Sequence, residues 1–389
     1  MNTKRIFPIG CLLGILLLGT QCRDVKTIDI QQQARYHITP LEYHIIDYSD
    51  VQNIIDTVKI INLEFTEEAL MHNIVKILTL DNGDFIVTDK KKICHFSADG
   101  KHIRNYGMRG RGPQEHIALE DICINNADNT LLILDAMNKI LFFSTESGKF
   151  IKAVSADWGK NGNTHRLDAI IPADNGGFFI ASANTTLLKP GNEFYCITEF
   201  DSEGKKISEG LPTTDFVYMN SMTSQSYGNR YLIKPIDTGN IAYETEGSTI
   251  KPLCWIDFGD KNVEAGAAFM PDGEMLFSKL IETNSYKLPM SFAETPKHIT
   301  FTTAGPKGKA YGYIYNKTSD NGYCIASPDH MTIPISFFCA DRNYFYTALH
   351  VYSANGIEQH ADPITRYITE QYGVLGENDN QRIIGVKFK

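Results

Sequence analysis

The sequence lacks the spacings that mark the commonest enzymes. There is no GxSxG elbow, no GxxxxGK[ST] phosphate loop and no HExxH. Cysteines occur, but none in CxxC or C…H clusters, and zinc needs closely spaced ligands. No metal or cofactor is therefore expected. Cys94, Cys123, Cys196, Cys254, Cys324 and Cys339 each sit in an apolar run such as KICHF or PLCWI and read as small buried hydrophobes. An export compartment would permit a disulfide, but nothing in the sequence names partners. The histidines form no i,i+4 pair; His165, His298, His330 and His350 either meet across a channel or are separately satisfied or solvated. The run DNGD, Asp81–Asp84, lacks the regular alternation of a calcium loop and reads as a hairpin turn.

Positive charge is also in short supply. Lys and Arg number 37 against 46 Asp and Glu, a net charge of −9, which argues against a nucleic-acid partner. Long apolar runs are confined to the start of the chain. Lys4 and Arg5 precede the uncharged stretch Ile6–Leu18, the polarity of a secretory leader and too short to span a bilayer. GTQC follows, Gly19–Cys22, and resembles a bacterial lipoprotein signal in which Cys22 is acylated. Residues 1–21 are thus expected as a signal peptide and Cys22 as the lipidation site. The polar stretch 22–41 is expected as a tether. Loss of the leader would take the charge to about −11.

What the chain does have is apolar and aromatic content. Apolar residues make up 42%, with 19 Tyr and 21 Phe, enough for a large core and too much for disorder. From residue 42 onward a pattern recurs. GDFIVTDKKKICHFSADGKHIRNYG and NTLLILDAMNKILFFSTESGKFIKAV each hold a strand ending in Asp (Asp89, Asp135), a turn, a second strand, a glycine turn (Gly100, Gly148) and a strand opening Lys-x-Ile. A third copy from Gly176 places its turn glycine at Gly204, and weaker copies follow. Short strands at even spacing with a period of roughly 40–50 residues indicate propeller blades. The expectation is an all-β, six-bladed β-propeller of four-stranded antiparallel blades over 42–389, averaging about 58 residues per blade. One short amphipathic helix is expected near the C-terminus, over Ala361–Gly373. VKIINLEF (Val58–Phe65) and the terminal RIIGVKFK are expected to share one blade and close the ring. The aromatic runs GYIY and YFY are expected to fill the space between blades.

YGMRGRGPQEH, Tyr106–His116, lies between two such units. Its glycines permit sharp bends and Pro113 stiffens the exit, as a crossing from rim to hub requires. The motif G-x-x-G-x-G-P-x-E, followed by a strand ending in Asp, is similar to the NHL-type propeller repeat. More closely, the chain resembles the six-bladed β-propeller lipoproteins of Bacteroides-type bacteria. VKIINLEFTEEALMHNIVKI resembles that family's opening and ENDNQRIIGVKFK its ending; Gln114, His116 and Gln381 depart from its usual residues. The resemblance implies the fold and a cell-envelope location, and no particular reaction.

Arg109 and Arg111 carry planar donor forks suited to carboxylate or phosphate, and Gln114, Glu115 and His116 adjoin them. These five are the candidate ligand-binding residues on a propeller face. The competing reading is structural: an arginine paired with Glu115 or a nearby carbonyl would staple the crossing. The functional expectation is a lipid-anchored, non-catalytic module at the membrane, binding a glycan, peptide or protein. One alternative is a propeller hydrolase or lyase acting on a glycan or lactone through carboxylates at the axis. Another is a scaffold within an envelope complex.

Overall fold

The computed structural model describes residues 30–158, 165–184, 194–213, 222–235, 240–262, 285–328, 333–349, 361–373, 375–376 and 379–389. The expected leader, Cys22, His330 and His350 lie outside them. The chain opens with β1 (Tyr36–Ile38), β2 (His44–Ile45), the single turn α1 (Val51–Ile54) and the long β3 (Ile55–Asn62). A four-stranded antiparallel meander follows: β4 (Lys76–Thr79), β5 (Phe85–Thr88), β6 (Ile93–Phe96) and β7 (His102–Tyr106). The two-residue strands β8 (Met108–Arg109) and β9 (Glu115–His116) lead to a second meander of β10 (Leu119–Asn125), β11 (Thr130–Asp135), β12 (Lys139–Ser144) and β13 (Phe150–Ser155). The third is β14 (His165–Pro172), β15 (Phe178–Asn184), β16 (Phe194–Phe200) and β17 (Lys206–Thr213). Next come β18 (Met222–Ser226), β19 (Arg230–Lys234), β20 (Ile241–Glu246) and β21 (Thr249–Ile256), then β22 (Lys287–Glu294), β23 (His298–Ala304), β24 (Ala310–Asn316) and β25 (Asn321–Ala326). Last are β26 (Cys339–Ala340), β27 (Phe345–Leu349), α2 (Pro363–Tyr372) and β28 (Arg382–Phe388).

The result is an all-β, propeller-like arrangement with few helices. Three sheets have four strands each. A fourth, β22–β25, gains β2 on its outer edge. β8 and β9 form a two-stranded sheet of their own, and the largest sheet has nine strands in the order β1-β21-β20-β19-β18-β26-β27-β28-β3. Its halves meet at one parallel pair, Gln225 with Cys339. The first strands of successive meanders touch in turn: β4 with β10, β10 with β14, β14 with β18, β18 with β22, β22 with β26, and β26 with β4. Apolar side chains fill the spaces between sheets, as where Phe142 meets Phe178 edge-on at 6.2 Å. Tyr313, Tyr315 and Tyr346, from the two aromatic runs, are buried in these layers.

The two ends of the chain meet as the sequence predicts. β28 pairs antiparallel with β3, with Ile384 opposite Ile60. α2 begins where expected: Asp362 caps it, accepting from Ile364 N at 3.0 Å and Thr365 N at 3.2 Å. Ile364 and Ile368 are its buried face. The folded body begins ahead of residue 42, within the stretch expected as a tether. β1 pairs in parallel with Cys254–Ile256, so the folded body reaches back to Tyr36. A three-residue strand within RYHITP carries too little periodicity to be read from sequence. All six body cysteines are free and buried. No helix among the described residues is long and apolar enough to cross a membrane.

Candidate functional site

The segment between β7 and β10 runs from an outer strand to an inner one, the path the glycine-rich motif predicts. Gly107 takes a positive φ of 59° as the chain turns off β7. β8 and β9 then pair in parallel, Met108 with Glu115 and Arg109 with His116. Gly110 N donates to His116 O at 2.9 Å. Glu115 does not pair with an arginine. Its carboxylate folds back to accept from Gly112 N at 2.7 Å. A Cβ on Gly110 would displace that carboxylate from its place against the loop. Lys139, from β12, clamps the segment by donating to Gly112 O at 2.8 Å and Glu115 O at 2.6 Å.

The five candidate residues therefore divide. Arg109, Arg111 and Gln114 are exposed. Glu115 is half-buried and His116 is buried under the crossing. Burial pushes the His116 imidazole below its usual pKa, with Asp135 opposing that shift and Lys139 and Arg109 adding to it. His116 Nδ1 is buried with no hydrogen-bond partner among the described residues. Among the described residues neither Arg109 nor Arg111 is within 4.0 Å of a carboxylate.

Two neighbouring turns complete this surface; the sequence shows both as turns after a strand-end Asp, but not that they flank the crossing. The strand-end aspartates Asp89 and Asp135 organise them alike. Asp89 Oδ1 accepts from Lys91 N at 2.9 Å and Lys92 N at 3.0 Å. Asp135 Oδ1 accepts from Met137 N at 2.7 Å, and its other oxygen accepts from Ile117 N. These bonds bring Lys91 and Met137 to the crossing. The usable signal was the repeat itself: residues two past each strand-end Asp occupy equivalent turns.

The hub beside this surface is closed by paired groups. Lys76 on β4 donates to Asp121 Oδ1 on β10 at 2.6 Å and to Thr223 Oγ1 on β18 at 3.0 Å. Asp121 Oδ2 also accepts from Ile170 N on β14 at 3.0 Å. Deeper in, Gln225 spans to β4, accepting from Thr79 N at 2.6 Å and donating to Thr79 O at 2.8 Å. A second cluster pins the β18–β21 sheet to β22–β25. Arg230 bridges Glu244 and Glu294, the latter at 2.9 Å; Lys317 also reaches Glu294, and Arg35 reaches Glu244. Lys317 lies 5.4 Å from both the Tyr36 and the Tyr227 ring centres.

Of the candidate histidines, His330 and His350 lie outside the described residues, and His298 lies within them. It is buried beside a cleft of about 170 Å³ lined by His44, Asn53, Asn316, Asn321 and Tyr323. Ligand pockets more often span about 300–1,000 Å³, and several of the polar groups here are engaged. Asn316 Oδ1 accepts from Thr318 N at 2.9 Å and Ser319 N at 3.1 Å, and His44 Nε2 hydrogen-bonds with Asp50 at 3.0 Å. DNGD forms the β4–β5 hairpin turn, with Asp84 N donating to Asn82 Oδ1 at 3.0 Å. Among the described residues no three His, Cys, Asp or Glu side chains converge as a metal site.

Fold and site together define a propeller-like all-β protein with a plugged hub and a rigid, basic crossing on one face. Residues 41–387 match the family described as a domain of unknown function, DUF4934, and the chain belongs to that family. A crystal structure of a Bacteroides fragilis NCTC 9343 protein named as exported has a TM-score of 0.69 at 16% identity. The match covers 91% of this chain and 99% of that one, and it shows a shared fold. A protein of unknown function from Bacteroides caccae is 9% identical over 64% of this chain and 80% of its own, with a TM-score of 0.39. The PQQ-bound aldose sugar dehydrogenase of Streptomyces coelicolor is 11% identical over 86% and 99%, with a TM-score of 0.43. At such scores these last two bear on neither the fold nor the function of this chain. No curated protein matches the sequence.

Proposed function

We propose that this chain is an exported, lipid-anchored, six-bladed β-propeller that binds a ligand or partner at the cell envelope without catalysing a reaction. The blade count is supported by the ring of first strands and by dividing the nine-stranded sheet at its single bridge between Gln225 and Cys339. Export and acylation are supported by the leader pattern from Lys4 to Cys22. The name of the Bacteroides fragilis neighbour agrees with export.

One observation carries the binding reading. Arg109, on the two-residue ladder, and Arg111, in the loop that the ladder closes, stand exposed while Glu115 and Lys139 are consumed in holding that loop. Gln114 lies beside them; Glu115 and His116 position the loop. At the hub, where a propeller enzyme would gather its acid and base, Lys76 and Asp121 are paired with each other. The test has two arms. Mass spectrometry of the mature protein should find an acylated Cys22 at position one; any other first residue removes the anchor. Envelope glycans, lactones and peptides should be bound without turnover. Turnover abolished by one substitution at the hub would replace this reading with the hydrolase or lyase.

A further inference from the structure

We infer that the platform between the β4–β7 and β10–β13 sheets takes an acidic protein segment that also carries apolar side chains. This rests on the binding reading above and adds the chemistry of the partner.

The argument begins with where the charges point. Four carboxylates surround the platform, and none faces outward unpaired among the described residues. Asp89 and Asp135 accept backbone amides, Glu115 accepts Gly112 N, and Glu120 lies 3.7 Å from Lys90 Nζ. Lys139 spends its ammonium on two carbonyls. Exposed around them are Lys91, Arg109 and Arg111, three cations without a carboxylate partner among the described residues. The chain as a whole is acidic, at −9. A basic platform on such a body steers anionic partners and repels further copies of basic proteins.

The apolar component is equally specific. Met108 is 69% exposed, Met137 66% and Ile117 41%. Asp135 holds the Ile117 and Met137 backbones side by side, and Met108 adjoins Arg109 on β8. Methionine and arginine are enriched at protein interfaces, and methionine adapts to varied partner shapes. A neutral glycan would leave the three cations uncompensated. An anionic bilayer would satisfy the cations too, and its binding is an outcome of the test below; methionine and arginine together favour a protein partner. A segment alternating Asp or Glu with Leu or Phe satisfies both components at once.

The experiment uses the full mature chain and four probes: a fluorescent peptide alternating Glu with Leu and Phe, polyglutamate of equal charge, a neutral glycan array, and phosphatidylglycerol vesicles. The acidic-apolar peptide should bind, more weakly as salt rises. R109E/R111E should weaken it at least tenfold and M108S/M137S several-fold, with the unfolding midpoint of each variant near that of the parent because these side chains are exposed. A Lys-substituted peptide should bind R109E/R111E better than the parent. Equal binding of polyglutamate, or binding of vesicles without the peptide, overturns the inference. Glycan binding unaffected by these variants overturns it too but leaves the binding module standing. Silence of all four probes removes both.

Discussion

At the scale of single residues, Gly100 and Gly204 each meet two demands. Both turn with positive φ, 87° and 84°. Both also press against the outer strand of the preceding sheet. A Cβ would overlap the Asn62 carbonyl oxygen in one case and that of Ser155 in the other. Gly176 has a similar φ of 77° but nothing within 4 Å of its missing Cβ. Gly176→Ala should therefore destabilise by about 1 kcal/mol, and Gly100→Ala by about 1–3 kcal/mol more. Urea unfolding separates the two, and equal losses would show that packing between sheets adds nothing. The repeat made these glycines visible as turns. Their second role was invisible, because each partner backbone lies far away in sequence. Lys76 and Asp121 behave differently, since each is the other's buried counter-ion. Asp121→Ala or Lys76→Ala alone should cost about 3–5 kcal/mol. The double variant should lose much less than the sum, and a double-mutant cycle reads the difference.

At the scale of elements, β23 opens on a histidine whose protonation the fold resists. Burial, with Lys297 and Lys317 nearby, pushes His298 from 6.5 to about 4. Its Nε2 is 3.2 Å from Asn316 Nδ2 and takes the acceptor role that a neutral ring provides. Burial also lowers His95 and His116. Because the unfolded chain takes up these protons first, stability is complete above about pH 6.5 and falls as pH drops toward 4. His298 alone should account for up to about 2 kcal/mol of loss at pH 5. Chemical denaturation at pH 7.5 and 5 tests this, and a His298→Gln variant with an unchanged pH slope would refute it. Elements with local logic were the legible ones. Meanders around tight turns, the Asp-Pro start of α2 and the glycine crossing all announce themselves within a few residues. β1 and β2 do not, because their pairing with β21 and β25 is set by distant strands. His116 follows two exposed arginines in sequence, yet it is buried beneath the crossing, which no spacing within the segment announces.

At the scale of the whole molecule, a ring is stable only if its last unit closes. β28 lies between β27 and β3, so it joins the C-terminal strands to the N-terminal one. Removing residues 382–389 should leave two strand edges bare and abolish cooperative unfolding, with dye binding to exposed apolar surface as the readout. A truncated chain that still unfolds in one sharp transition would mean closure contributes little. The parallel docking of β1 has a mechanical corollary. Tension applied to the chain ahead of Arg35 would load the β1–β21 hydrogen bonds in shear, together with the Arg35–Glu244 ion pair, so that they resist as a group and do not unzip one at a time. β18, the hub strand of that sheet, faces β4 across the axis through Thr79 and Gln225. A body held by its leading end would thus be gripped at one side of the rim, leaving the arginine-bearing crossing on the far side, free to swing outward.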